Sequence, residues 1–134
     1  MSWVANVMLS VARDDRPNAE EFSRWLEEDC PPRGPDRDWL GCGGLALTTN
    51  TDTQWGGTKY PECSVYAGVL NHADLNAVVR CFGSLGWHRP GIAQLFLMDQ
   101  EEFSFQVWMI RHGAPRQYAP PEEEDYPFLN LPTK

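Results

Sequence analysis

The stretch IAQLFLM-DQEE-FSFQVWMI decides the fold, and its three parts are residues 92–98, 99–102 and 103–110. Two apolar runs of strand length flank a short polar segment, a pattern typical of a β-hairpin. Runs that are apolar at nearly every position indicate strands covered on both faces. We therefore expect an antiparallel hairpin in the middle of a covered sheet.

A strand and a helix are expected near the start of the chain. Residues 3–12 form a short run rich in Val, Met and Leu, which predicts a buried strand. Asn18 is the expected N-cap of a first helix, and Glu21 completes a capping box. Pro31 and Pro32 end that helix, because proline cannot continue it.

The middle of the chain repeats these signals. Residues 45–51 and 63–70 predict two strands bounded by turn-forming loops. Asn71 is the expected cap of a second helix, and Gly83 and Gly86 suit its end. The element order is therefore β-α-β-β-α-β-β.

These elements predict an α+β fold in which two helices pack on one face of an antiparallel sheet, a ferredoxin-like arrangement with an extra strand. Residues 1–112 form this single domain. Residues 113–134 are rich in Pro and acids. We expect them to form an acidic C-terminal tail that is extended or lies on the surface.

The chain is acidic, with 19 acidic and 11 basic residues and a net charge of −8. Without residues 113–134 it keeps 15 acidic and 9 basic residues, hence −6. A nucleic-acid binder presents a basic surface, and an anionic membrane also attracts basic segments. The charge argues against both partners, and it fits either a basic protein partner or solubility alone.

The sequence also predicts a location. Residues 1–15 lack the basic start and long apolar run of a signal peptide, and no segment reaches the roughly 18–20 apolar residues that span a membrane. The four cysteines form no C-x-x-C motif, so we expect a cytoplasmic protein with reduced thiols. Nine of the eleven basic residues are Arg, which indicates a GC-rich genome, such as that of a high-GC bacterium or its phage.

Two glycine motifs resemble signatures of known chemistry. Residues 41–46 match G-x-G-x-x-A, but a Pro-rich loop precedes them and a strand follows, whereas dinucleotide binding requires a strand before and a helix after. Residues 82–86 resemble a nucleophile elbow that lacks its first Gly and ends a helix. We interpret the first motif as a turn into a strand and the second as a helix end.

Metal ligands and nucleophiles are scattered along the chain. The three histidines and four cysteines show no ligand-pair spacing, so we predict no metal site and no cofactor. Cys42, in a Gly-rich loop, is the thiol most expected to be exposed, whereas Cys63 and Cys81 are expected to be buried. We predict no catalytic residue, and a non-enzyme is favoured over an enzyme.

Aromatic residues in or beside loops are the candidates for binding: Trp39, Trp55, Trp87, Tyr60 and His88. Exposed Trp and Tyr beside Arg are effective interface anchors. The alternative is that these rings cover the open edges of the sheet, since a small domain needs apolar cover.

The leading hypothesis is a non-catalytic acidic binding protein that masks a basic surface on a target protein. Such a protein would be an inhibitor, an immunity or antitoxin-type protein, or a phage-encoded modulator. Asp14, Asp15, Glu101 and Glu102 supply the charge, which accelerates association, and Trp55 supplies an aromatic anchor.

Two alternatives stay open. A small-molecule-binding domain or small enzyme would use a pocket formed by loops 30–44 and 52–62. An assembly subunit would form a homodimer through a sheet edge. Residues 119–131 join an acidic run to aromatic and aliphatic residues, and we expect this part of the tail to dock on a partner or on its own domain.

Overall fold

Six strands and two helices form the part of the chain that the structure, a computed structural model, describes: residues 3–34, 38–49, 61–102 and 104–118. The elements are β1 (Val4–Ala12), α1 (Arg16–Glu28), β2 (Leu45–Leu47), β3 (Cys63–Asn71), α2 (Leu75–Ser84), β4 (Gln94–Asp99), β5 (Ser104–Arg111) and β6 (Ala114–Tyr118). A single 3₁₀ turn, Arg13–Asp15, joins β1 to α1.

The strands form one antiparallel sheet in the order β2-β3-β1-β4-β5-β6. The predicted α+β class is confirmed, with one antiparallel sheet and two helices. The six-stranded order differs from the ferredoxin-like order that we predicted, because the sheet continues past β4.

The sixth strand comes from residues that we assigned to the tail. His112 and Gly113 both have positive φ, 54° and 78°, and they connect Arg111 to its partner Ala114. A two-residue connection with positive φ at both positions matches the twist of an antiparallel hairpin. The chain therefore turns back along β5 and leaves the described residues at Tyr118, while residues 119–134 of the predicted tail lie outside them.

The first helix begins before the cap that we predicted. α1 starts at Arg16, so Asn18 lies in its first turn, where its amide donates to the Asp15 carboxylate and to the Gly86 carbonyl, each at 3.0 Å. Pro17 explains the earlier start, because a first-turn residue needs no N–H and the fixed φ of proline suits a helix. The predicted cap at Asn18 is wrong.

The second helix also has a different cap. The Asp74 carboxylate accepts hydrogen bonds from the backbone N–H groups of Asn76 and Ala77, at 3.1 and 3.3 Å. Asn71, the predicted cap, instead ends β3, and its side-chain oxygen lies 2.8 Å from Nδ1 of His72. Both residue types are good caps, so their side chains alone did not distinguish them.

The core lies between both helices and one face of the sheet. Alternate residues of β1, namely Val7, Leu9 and Val11, point into it and are at most 3% exposed. Phe22 of α1 and Phe82 of α2 meet above them edge-on, with ring centroids 6.3 Å apart. Because the helices share one core with the strands, they cover the same face of the sheet.

Candidate functional site

Of the aromatic residues predicted to bind, the structure describes Trp39, Trp87 and His88. Trp87 is buried, and its Nε1 donates to the Phe82 carbonyl at 2.8 Å, so it is part of the core. Trp39 is 42% exposed, and its ring meets His72 edge-on at 6.5 Å. Trp55 and Tyr60 lie outside the described residues.

Asp15, predicted to be a surface charge, is instead a buried structural residue, 1% exposed. Its carboxylate accepts hydrogen bonds from the backbone N–H groups of His88 and Arg89, at 2.8 and 2.9 Å, and from the Asn18 amide. Burial opposes ionisation, but the three hydrogen bonds outweigh it and lower the pKa of Asp15. His88 therefore contributes through its backbone N–H, which helps to hold the segment between α2 and β4 against Asp15.

Asp14 lines an open polar cleft. Its carboxylate pairs with Nε of Arg89 at 3.1 Å, at the edge of a cavity of about 840 Å³ that Arg13 and Arg16 also line. Nε of Arg16 is held by the Ser64 hydroxyl at 2.8 Å. Arg16 and Arg89, two of these three arginines, thus already have partners within the fold. The Asp14–Arg89 ion pair is exposed, and exposed ion pairs contribute little to stability.

Glu101 and Glu102 are exposed, as a surface role requires. They form the turn between β4 and β5, where Asp99 holds the backbone: its carboxylate accepts from N–H of Glu101, and its carbonyl accepts from N–H of Glu102, both at 3.1 Å. This turn places two carboxylates at one end of the sheet.

The cysteines differ from our expectation. Cys42 is buried, 8% exposed, and burial raises the pKa of its thiol, so the expected exposure is wrong. Cys30 is fully buried, and burial also raises its pKa. Cys63, which we expected to be buried, is exposed. Cys81 is half-buried, and burial raises its pKa to about 11.

The glycines of the G-x-G-x-x-A match serve packing. Gly41 has φ +96°, and a Cβ there would lie 2.1 Å from the Glu27 carbonyl oxygen at the end of α1. Gly43 has φ +148°, and a Cβ there would lie 2.4 Å from the Val69 carbonyl oxygen. Only glycine permits both the conformation and the close approach, so the motif lets the loop pack between a helix and a strand.

A cluster around His72 was missed by our sequence reasoning. His72 is buried and has φ +60°, which is rare for a residue with a side chain. Its ring lies 5.6 Å from that of Trp3, over which the Arg33 guanidinium stacks at 5.1 Å. Arg33 also pairs with Asp99 at 3.3 Å. These contacts join distant parts of the chain, and no local pattern signals them.

Several large apolar side chains are exposed on the face of the sheet that points away from the helices, which we call the open face. One cross-strand row on it runs from Ala67 through Met8, Phe96 and Val107 to Tyr118. The apolar side chains on this face belong to four residue types: Val4, Met8, Val65, Ala67, Val69, Phe96, Met98, Phe105, Val107 and Met109.

The open face carries a groove of about 670 Å³ along its centre. Three large apolar side chains beside this groove stay exposed: Met8 at 42%, Phe105 at 49% and Val69 at 54%. Exposed apolar surface that is contiguous, instead of scattered, marks interaction sites in small proteins. The open face is therefore the candidate functional site.

A signal for this site was present in the sequence. The hairpin is apolar at nearly every position, from which we predicted cover on both faces. Both helices lie on one face, so the apolar residues of alternate positions, such as Phe96 and Phe105, remain on the other. The fold and the site together define a small α+β protein in which, over the described residues, the helices cover one face of the sheet and leave the other apolar and exposed.

Comparisons with known proteins add no relative: no protein-family model, no curated protein and no solved structure matches this chain. Among the described residues, no group of three or more His, Cys, Asp or Glu is placed to hold a metal ion. None of the helices in the described ranges is both long and apolar enough to cross a membrane.

Proposed function

We propose that this chain is a non-catalytic binding protein that engages a partner protein through the open face of its sheet. The observation that carries the proposal is the exposure of Met8, Val69 and Phe105 around one groove. Binding energy in protein interfaces concentrates in a few large side chains near the centre of a patch. Methionine adds adaptability, because its flexible side chain fits partners of different shape.

The charge beside the groove supports a basic partner. Met98 and Phe105 lie next to the β4–β5 turn, where Glu101 and Glu102 are exposed, and the whole chain has a charge of −8. An acidic rim accelerates association with a basic partner and disfavours acidic ones. The proposed partner therefore presents an apolar segment flanked by Lys or Arg, in keeping with the masking role of an inhibitor, immunity or antitoxin-type protein.

The face is a better candidate for binding than the sheet edges. β2, at one edge, has only three residues. β6, at the other, contains Pro115 and Arg116. Short edge strands, proline and charge all discourage the addition of another strand, so we place partner binding on the open face and not in a dimer formed edge to edge.

Selection from a displayed peptide library tests the proposal with two matched variants. Phe105→Glu adds a negative charge on the open face, and Leu40→Glu adds one at a residue that is 59% exposed in a loop elsewhere. We expect the wild-type chain to select peptides with an apolar centre and basic flanks. These should bind Leu40→Glu normally and Phe105→Glu at least about tenfold more weakly.

Thermal melts of both variants serve as the control for folding. The proposal fails if selected peptides bind Phe105→Glu and the wild-type chain equally well. It also fails if the selection enriches acidic or uniformly polar sequences, because the groove and its rim would then not be the binding surface.

Two finer assignments belong to this proposal. We propose that β1 to β4 with both helices form a ferredoxin-like unit, which the hairpin of β5 and β6 extends; the support is that β1 lies between β3 and β4. We also propose a cytoplasmic location. Its support is that all four cysteines are free thiols and that Cys63 is exposed, a state that a reducing compartment preserves.

A further inference from the structure

We propose that the cleft lined by Arg13, Arg16 and Arg89, which we call the arginine cleft, binds a small organic anion that carries a carboxylate or phosphate group on an apolar body. The cleft has a volume of about 840 Å³. Over the described part of the chain it shares no lining residue with the groove of the open face. The proposal is therefore independent of the proposed function.

Positive charge gathers in the arginine cleft, although the chain as a whole is acidic. Three of the eight arginines that the structure describes line it, together with two carboxylates, those of Asp14 and Glu62. Asp14 pairs with Arg89 at 3.1 Å. Within the described ranges, no carboxylate lies within 4 Å of the guanidinium of Arg13 or Arg16. Two cations thus remain available to an anionic ligand.

Contacts within the fold hold these arginines in place. Arg16 donates from Nε to the hydroxyl of the buried Ser64 at 2.8 Å, and this neutral partner leaves the positive charge in the cleft. The backbone N–H of Arg89 donates to the Asp15 carboxylate at 2.9 Å, and Asp15 belongs to the same 3₁₀ turn as Arg13. A guanidinium donates paired hydrogen bonds to carboxylate or phosphate, and prior positioning reduces the entropy lost on binding.

The arginine cleft also has an apolar side. Ile92, which is 41% exposed, and Ala12 line it beside the arginines. Sites for small molecules combine apolar surface with a few polar groups and commonly enclose about 300–1,000 Å³, a range that includes this cleft. An inorganic ion would use only the arginines, whereas a ligand with an anionic group and an apolar body would contact both parts.

The acidic turn lies at the other end of the sheet. β4 starts at Gln94, two residues after Ile92, and ends at Asp99, beside Glu101 and Glu102. The five residue steps from Gln94 to Asp99 span about 17 Å. The Debye length at physiological ionic strength is about 8 Å. Repulsion by the turn is therefore largely screened at the cleft.

The thiol of Cys63 can report binding, because Cys63 lines the same cleft and is exposed. Mass spectrometry follows its labelling by the uncharged reagent 2,2′-dithiodipyridine in the presence of phenyl phosphate or benzoate. We expect at least one of these anions to protect Cys63 saturably, and the comparison decides between phosphate and carboxylate. Benzyl alcohol lacks the charge and inorganic phosphate lacks the apolar body, so both should protect about tenfold more weakly.

Three variants test whether the arginines are responsible. Arg13→Gln should raise the concentration of the protecting anion that gives half protection about threefold to fivefold, which corresponds to the loss of an exposed ion pair. Asp14→Asn should lower that concentration, because Arg89 loses its carboxylate partner. Arg80→Gln removes the same charge from an exposed position in α2 and should leave the concentration unchanged. Thermal melts check that each variant folds.

Several outcomes would overturn the proposal. It is refuted if neither anion protects Cys63, or if benzyl alcohol or inorganic phosphate protects equally well. It is also refuted if Arg13→Gln and Arg80→Gln behave alike. Phe105→Glu, the variant of the open face, should keep the protection of the wild-type chain. A loss of peptide binding in Phe105→Glu with intact protection of Cys63 would therefore show two separate sites, and the failure of either proposal leaves the other standing.

Discussion

The carboxylate of Asp15 ties the start of α1 to the segment that follows α2. It accepts three hydrogen bonds, two from backbone N–H groups at residues 88 and 89 and one from Asn18, while the residue is 1% exposed. Removing a buried acceptor leaves its donors without partners in a place that water does not reach easily. A charge that we expected to face a partner therefore stabilises the fold.

Asp15→Ala should lower the free energy of unfolding by about 2–3 kcal/mol at neutral pH, because three donors lose a charged acceptor. Its neighbour provides the control: Asp14→Ala removes only an exposed ion pair and should cost less than about 1 kcal/mol. Urea unfolding of the three proteins measures both values. Equal losses would contradict the structural role of Asp15.

The pH dependence of this stabilisation has a definite sign. The folded state lowers the pKa of Asp15 below its ordinary 3.8, so the contribution is fully present above that value and disappears as pH falls through the lower, folded-state pKa. The difference in unfolding free energy between the wild-type chain and Asp15→Asn should shrink in that acid range. A difference that stays constant between neutral pH and strong acid would refute this assignment.

Thiol reactivity should follow exposure. Cys63 is exposed, whereas Cys30 and Cys42 are buried and their pKa values are raised by burial. At neutral pH we expect a disulfide reagent to modify Cys63 first and Cys81 more slowly. Cys30 and Cys42 should react at least about 100-fold more slowly than Cys63, because their exposure requires local or global opening.

The variant Cys63→Ser identifies the fast thiol. Replacing Cys63 should remove the first phase of the labelling reaction and leave the slower phases unchanged. Rapid labelling of Cys42 in the folded protein would show that the loop around it opens easily, against its close packing on α1 and β3.

The contact between α2 and β6 depends on a glycine. A Cβ at Gly83 would lie 2.5 Å from Cδ of Pro115, whereas Gly86 has nothing within 4 Å. Alanine normally stabilises a helix position relative to glycine by about 0.5–1 kcal/mol. At Gly83 this gain should be reversed, because the added methyl group meets a rigid ring that must move.

Gly83→Ala should therefore lower the unfolding free energy by about 1–3 kcal/mol, and Gly86→Ala should change it by less than about 0.5 kcal/mol. Denaturant unfolding measures both. Faster amide hydrogen exchange in β6 of Gly83→Ala would place the strain at this contact, and a stabilised Gly83→Ala would show that β6 does not pack as described.

Strands and helices with strong local patterns were predictable, and their exact starts were not. The apolar runs yielded β1, β3, β4 and β5 within one or two residues at each end. The cap of α1 was misplaced because the preference of Pro17 for the first turn competes with that of Asn18 for the cap. β6 was missed because Pro115, Arg116 and Gln117 have no strand pattern, and its turn rests on the positive φ of His112.

Across the whole molecule, the sequence predicted the class of fold, whereas the candidate site that the structure offers lies on a sheet face and not in the loops to which we assigned it. We searched the loops, since binding residues often lie there, and the loop aromatic Trp87 proved to be core. The open face is instead made from the same apolar strands that predict the sheet. Whether their second face is covered depends on where both helices pack, which is a tertiary property that strand patterns do not contain.

The central position of β1 has a consequence for how the chain folds during synthesis. Leu9 pairs with Leu95, so β1 must wait for this second neighbour until 86 residues after Leu9 have been made. At about 5–20 residues per second, this delay is roughly 4–17 s. During that time the edge of β1 that will pair with β4 is open, even after β3 has emerged to pair with the other edge, and an unpaired edge is a site of aggregation. β1 is thus most vulnerable to aggregation before β4 emerges, and chaperones that bind short apolar segments have a natural target in it.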